Sequence, residues 1–258
     1  LPEELGPRLV RETGQQLERD SDADWHWKGH RVRIVDGAML TMPDTQENQA
    51  ASPHPSSQKR GLGFPMVRIV VVFSLGVGTV LNYALGKSSG KFTGENQLFR
   101  AMHPMVAAND LALAERCYAS FWDFALLDQR NVWLVTRQHQ LRTTAFRRGP
   151  RLGSGDHLVT WAKPQQRSDW LDLYRQRWQA ELNLRSWRAA MRRDPLGCWT
   201  PEMVRKEIAR HLLAYNSVRR LMAEAARHHE LRPTQLSFTG AMQTLRAFSE
   251  HGLLEQTP

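Results

Sequence analysis

Apolar positions along this chain follow two periods. Short alternating or continuous apolar runs fall at RVRIVD (31–36), Met66 to Phe73, Val77 to Leu85, Asp110 to Glu115 and Asn131 to Thr136. Each is bounded by turn residues, so each predicts a strand. The second and third form a hairpin around Gly76-Val77-Gly78, and their β-branched content suits the middle of a sheet. Helical spacing takes over at Arg8 to Arg19, at about Gly94 to Met102 with Thr93 as N-cap, and at about Tyr118 to Gln129. Leu171 to Met191, without proline or glycine, predicts a further helix. Thr200-Pro201-Glu202 opens the next, with an N-cap, a first-position proline and a first-turn acid. Its apolar face is Val204, Ile208, Leu212, Tyr215, Val218, Met222 and Ala225, through Arg227; a short last helix reaches about Phe248. Residues 43–65 hold four prolines and predict a long loop.

Charge narrows the function. The 258 residues carry a formal +9, and residues 163–232 hold 15 Lys and Arg against 8 Asp and Glu. Residues 131–155 add five arginines and no acid, so the positive field is local. It points first to nucleic acid and only secondly to an anionic membrane surface. The longest apolar run, Ile69 to Leu81, is interrupted by Ser74, Gly76, Gly78 and Thr79 and is too short to span a bilayer. With no visible signal peptide, a bacterial cytoplasmic location without membrane contact is expected. The chain begins with Leu1, which fits a fragment or an alternative start. Cys117 and Cys198 lack zinc-ligand spacing and read as buried or incidental thiols, and His139 and His157 read as structural. The segment GKSSGKFTGE lacks Walker spacing and reads as a turn.

Candidate chemistry centres on the helix from Leu171. Tyr174, Arg177, Glu181 and Arg188 are spaced by three, four and seven and stack along one stripe. A solitary carboxylate among bases and aromatics suits a divalent-cation ligand whose neighbours hold phosphates. The plainer reading is a surface helix with pairs such as Glu181 to Arg185. Asp36, at the end of the first predicted strand and followed by Gly37, reads either as a turn acid or as a catalytic one.

Tyr-x2-Arg-x3-Glu-x6-Arg resembles the Tyr-Arg-Glu-Lys signature of insertion-sequence DDE transposases, with Trp178 and Trp187 also fitting and Arg188 in place of lysine. VDGAMLTMPDTQENQAASPHPSSQKRGLGFP resembles the first catalytic block of that family, and LALAERCYASFWDFALL the second. TPEMVRKE, HLLAYNSVRRLM and LRPTQLSFTGAMQTL resemble its C-terminal part. The resemblance implies an α/β, ribonuclease-H-like mixed sheet flanked by helices over residues 32–250, with a partial β-rich insertion at 131–170 and a helical C-terminal part. Residues 1–31 would be an N-terminal segment and 251–258 a tail. It also implies cut-and-paste DNA transposition by two-metal phosphoryl transfer. Asp36, Glu115 and Glu181 would be catalytic and hold Mg²⁺ or Mn²⁺. Tyr174, Arg177, Trp178, Arg185 and Arg188 would bind double-stranded DNA at element ends, and by analogy the protein would act as a homodimer.

Two departures reduce the expected activity. Glu115 stands where the family has aspartate, and Asp110, five residues away, lies about 16 Å along a strand on the other face. The extra methylene moves the carboxylate roughly 1.2–1.5 Å, where metal constellations are held to about 0.5 Å and a 1 Å misplacement costs about a hundredfold. The chain also passes from His157–Ala162 through KPQQRSDW directly into the signature helix, which reads as an internal deletion. Three functions stay open: a working transposase, a remnant that binds DNA without cutting it, and a basic nucleic-acid-binding protein without metal chemistry.

Overall fold

The computed structural model describes residues 2–53, 63–90, 93–138, 150–153, 156–157, 176–191 and 196–254. Its centre is a five-stranded sheet made of β1 (Val32–Thr41), β2 (Met66–Ser74), β3 (Val80–Lys87), β4 (Leu111–Ala114) and β5 (Trp133–Thr136). The strand order is β3-β2-β1-β4-β5. β1 is antiparallel to β2, while β1, β4 and β5 run parallel. The expected mixed sheet is therefore present. Two further short strands, β6 (Arg151–Gly153) and β7 (Asp156–His157), pair antiparallel with each other.

Burial on both faces explains the continuous apolar runs. Ile34, Leu40, Ile69, Val71, Phe73, Leu111 and Leu113 face one core. That core is covered by α1 (Leu5–Arg19), α5 (Trp178–Met191) and α6 (Pro201–His228). Val35, Val70, Val72, Ala112 and Ala114 face the other, against α3 (Glu95–Met102) and α4 (Phe121–Asp128). A short helix, α2 (Gln46–Ala51), interrupts the expected 43–65 loop, because the Thr45 side chain caps the Asn48 amide. The last helix, α7 (Phe238–Leu254), outruns its expected end.

Several boundaries differ for local reasons. β1 continues past Asp36 because β2 pairs with it as far as Thr41↔Met66. Gly94 precedes α3 as its N-cap, and the Thr93 hydroxyl donates instead to the Gly90 carbonyl at 2.9 Å. Ser120 caps α4, so the expected start at Tyr118 becomes a 3-10 turn over Arg116–Tyr118. On α6, Thr200 caps as expected, but Ala223 and Ala226 are buried and Ala225 is exposed, since the helix drifts off a fixed spacing over 28 residues.

The outer edge of β3 is sealed by a side chain. Asn216 on α6 accepts from the Val80 amide and the Thr79 hydroxyl, both at 2.8 Å, and donates to the Val80 carbonyl at 2.9 Å. It thus pairs β3 as a neighbouring strand would. Gly14 on α1 leaves the same place open, since a Cβ there would lie 1.9 Å from the Val80 oxygen. Replacing Asn216 with leucine should orphan these groups and cost about 3–5 kcal/mol, at about 1–3 kcal/mol for each buried polar group left unpaired. Urea unfolding of the two proteins measures that loss.

Candidate active site

The parallel pairing of β1 with β4 ends at Val35↔Ala114, so the next residue on each strand is Asp36 and Glu115. Alternation puts both on the face that carries Ile34 and Leu113, beneath α5. Two of the three expected carboxylates are therefore neighbours, although nearly 80 residues separate them in sequence.

Asp36 is half-buried, and its Oδ1 accepts from the Gly37 amide at 2.9 Å. Its pKa is raised from 3.8 to about 6. Desolvation is the main cause, opposed by the Gly37 hydrogen bond; negative Glu115 and Glu95 add to the rise, and positive Arg177 resists it. Glu115 directly follows β4, where its carbonyl accepts from the Thr136 hydroxyl at 2.7 Å and so ties it to β5. Its carboxylate pairs with Arg177 Nη1 at 2.9 Å.

Glu181 lies in the first turn of α5, one turn beyond Arg177. Its ion pair is with Arg185, at 3.5 Å, the partner expected of an ordinary surface helix. Among the described residues, no group of three or more His, Cys, Asp or Glu side chains is gathered to hold a metal ion. Arg188 reaches down to β1, donating from Nη2 to the Met39 carbonyl at 3.1 Å. Trp178 is 52% exposed and borders a cleft of about 230 Å³ with Trp25, Trp27 and Gln179. Tyr174, the start of the signature helix (171–175), the strand continuation at 158–162 and His139 lie outside the described residues.

α5 is held in place from beneath. Ala180, Leu184 and Trp187 are buried in the core at helical spacing. Asn183 accepts from Arg219 Nη2 at 2.7 Å and from Gln179 at 3.1 Å. Arg219 belongs to this interior network. It is 3% exposed, donates to the Tyr215 hydroxyl at 2.8 Å and lies over the Tyr215 and Phe238 rings. Asp110 is likewise structural, pairing with buried Arg33 at 2.9 Å while Glu18 holds the same guanidinium at 2.7 Å.

Glu95, at the start of α3, is an acid that sequence reasoning missed. A Cβ on Gly37 would lie 2.7–2.9 Å from its carboxylate. The Tyr118 hydroxyl donates to Glu95 at 3.4 Å and the Cys117 thiol at 3.6 Å. Cys117 is exposed rather than buried. Its thiol nevertheless turns toward the packed side, beside Glu95, and is pushed up to about 12, by desolvation first and then by Glu95 and Glu115. The glycine after Asp36 is the one sequence signal for Glu95, because it marks where another group approaches the backbone.

This sheet order, with an acid on each of two central strands just past the end of their parallel ladder and beneath a basic helix, defines a ribonuclease-H-like domain. The family model described as "Transposase DDE domain" matches residues 27–217, and the chain belongs to that family. Over 286 aligned positions it is 28% identical to the transposase InsG for insertion sequence element IS4 of Escherichia coli (strain K12). That alignment takes in 91% of this chain and 63% of InsG, so the chain spans less than two thirds of that relative's length. The piggyBac transposase, solved as a synaptic complex with hairpin DNA, shares the fold with a TM-score of 0.51. There, 83% of this chain and 51% of piggyBac superpose at 9% identity. No helix among the described residues is long and apolar enough to cross a membrane.

The raised Asp36 pKa fixes a sign. Between about 3.8 and about 6 the folded state holds the proton more tightly than the unfolded chain. Stability therefore falls as pH rises through that window, by at most about 3 kcal/mol, and stays lower above it. Asp36→Asn removes the penalty. It should stabilise the metal-free protein by about 1–3 kcal/mol at pH 8 and leave it unchanged at pH 3.5, as read by urea unfolding in EDTA at both pH values.

Proposed function

We propose that this chain is the catalytic domain of a DNA transposase of reduced activity. The observation that carries the reading is the register that sets Asp36 beside Glu115 under α5, with the Arg177 guanidinium bound at Glu115. The donor set fits a hard divalent cation: both are carboxylates, and a positive group is already accepted there. Asp36, Glu115 and Glu181 would hold Mg²⁺ or Mn²⁺. A bound cation would supply Lewis acidity to the attacking and leaving oxygens of a phosphodiester.

The chain's own residues would do the rest. Arg177 and Arg188, with Tyr174, would hold phosphates near the element end, and Arg185 would add charge further along α5. Exposed Trp178 could stack on an unpaired base at the cleft it borders. Double-stranded DNA is the substrate class favoured by the family and by the local positive charge, with a homodimer on paired ends by analogy with the family.

Two observations favour a second reading, a protein that binds DNA without cutting it. Glu181 is engaged by Arg185, and Glu115 carries one methylene more than the family's aspartate. The alignment with InsG adds a third: 91% of 258 residues is about 235, so about 50 of its 286 positions, all inside the aligned span, are filled by InsG alone. That supports an internal deletion.

Nicking of labelled element-end DNA in Mn²⁺ separates the readings. The parent should nick weakly, Glu115→Asp about ten- to a hundredfold faster, and Asp36→Asn and Glu181→Ala not at all. DNA binding by every variant with no nicking by any of them would establish the second reading.

A further inference from the structure

Arg177 stands immediately before α5, with its carbonyl accepting the Ala180 amide at 2.9 Å, so its backbone is fixed by the helix while its side chain extends away from the helical ladder. The side chain is only 16% exposed, although Glu115, which it grips at 2.9 Å, is 46% exposed. The guanidinium is thus largely buried against Glu115 and near enough to Asp36 to act on its charge, and solvent reaches the pair from the Glu115 side. It occupies a Glu115 oxygen that a divalent cation would need. Mg²⁺ requires oxygens at about 2.0–2.1 Å, and a guanidinium held on the same carboxylate repels it and competes for its charge. A planar guanidinium also fits a phosphate as well as it fits a carboxylate. The two ligands of the proposed site, cation and DNA, therefore each compete with the same ion pair, the cation for Glu115 and the phosphate for Arg177.

On the metal-binding reading above, we infer that Arg177 is an internal counter-ion for Glu115 that a divalent cation displaces onto a DNA phosphate, so that metal and DNA bind cooperatively. Each ligand alone must weaken the pair unaided. Once one has drawn its partner away, the other binds against less competition, and linkage makes the gain reciprocal. Glu181, one turn along the same face, becomes the nearest acid of α5 to the vacated position. In this role Arg177 is a positioning residue that couples the two ligands.

The test is Mn²⁺ binding by isothermal titration calorimetry to the whole chain, in the wild type, Arg177→Gln, Arg177→Lys and, as a site control, Asp36→Asn. Circular dichroism melts confirm that each variant is folded. Arg177→Gln, which removes the competing charge, should bind Mn²⁺ about five- to tenfold more tightly, while Arg177→Lys stays near the wild type. Mn²⁺ should also raise wild-type affinity for a fluorescent duplex by a similar factor, an increment lost in Arg177→Gln. The inference is overturned if Mn²⁺ binds the wild type, is lost in Asp36→Asn, and binds Arg177→Gln no more tightly. Absence of Mn²⁺ binding in all four proteins overturns the metal-binding reading instead, and the inference with it.

Discussion

Everything at the candidate site depends on one strand pairing. β1 lies between an antiparallel neighbour and a parallel one, and the parallel ladder stops at Val35↔Ala114. Because that ladder ends while β1 continues, the sheet opens just where Asp36 and Glu115 emerge. Hydrophobic burial on both faces fixes the register, since a slip of one residue in β1 would carry Ile34 into the core shaped for Val35 and Val35 into the one shaped for Ile34. Two like charges are thus forced together by packing that is indifferent to charge. The raised proton affinity of Asp36 comes first from the burial that this packing imposes, and the nearby Glu115 adds to it.

Above the acids, α5 is anchored by an apolar side and a polar network together. Trp187 and Leu184 sink into the core, while Asn183 is tied through Arg219 to Tyr215 on α6, whose hydroxyl in turn donates to the Gly78 carbonyl at 2.8 Å. Truncating one partner inside such a network leaves buried groups unpaired, which makes it stiff. The same α6 seals the edge of β3 through Asn216. The long helix therefore holds the sheet's outer strand and the helix above the site in one frame, and Arg177 reaches Glu115 from an element with little freedom to shift.

Charge at the site works against stability. Asp36, Glu95 and Glu115 bring negative charge together, with the Arg177 guanidinium answering it at Glu115, and a fold selected for stability alone would not gather them. Glu95 approaches through the space that Gly37 leaves open. Such local conflict is characteristic of functional positions.

Local signals in the chain were enough to place the five strands of the central sheet and the longer helices, and to single out two acids that the fold sets side by side. Those signals are alternation, a Thr-Pro-Glu helix start, and family wording around Val35-Asp36-Gly37 and Glu115. They misplaced boundaries wherever a neighbour extended or shortened an element, as β2 does for β1 and Ser120 does for α4. What each charged side chain does became legible only in the folded molecule. Arg219 and Arg188 look alike in sequence, yet one is enclosed by aromatic rings and the other reaches a strand carbonyl. Glu95 was invisible because its importance comes from a contact across nearly 60 residues of chain, with a glycine. The physical reason is the same in each case. Backbone preference and hydrophobic period are written within a few residues, whereas a charge takes its partner, its burial and its proton affinity from groups that only folding brings near.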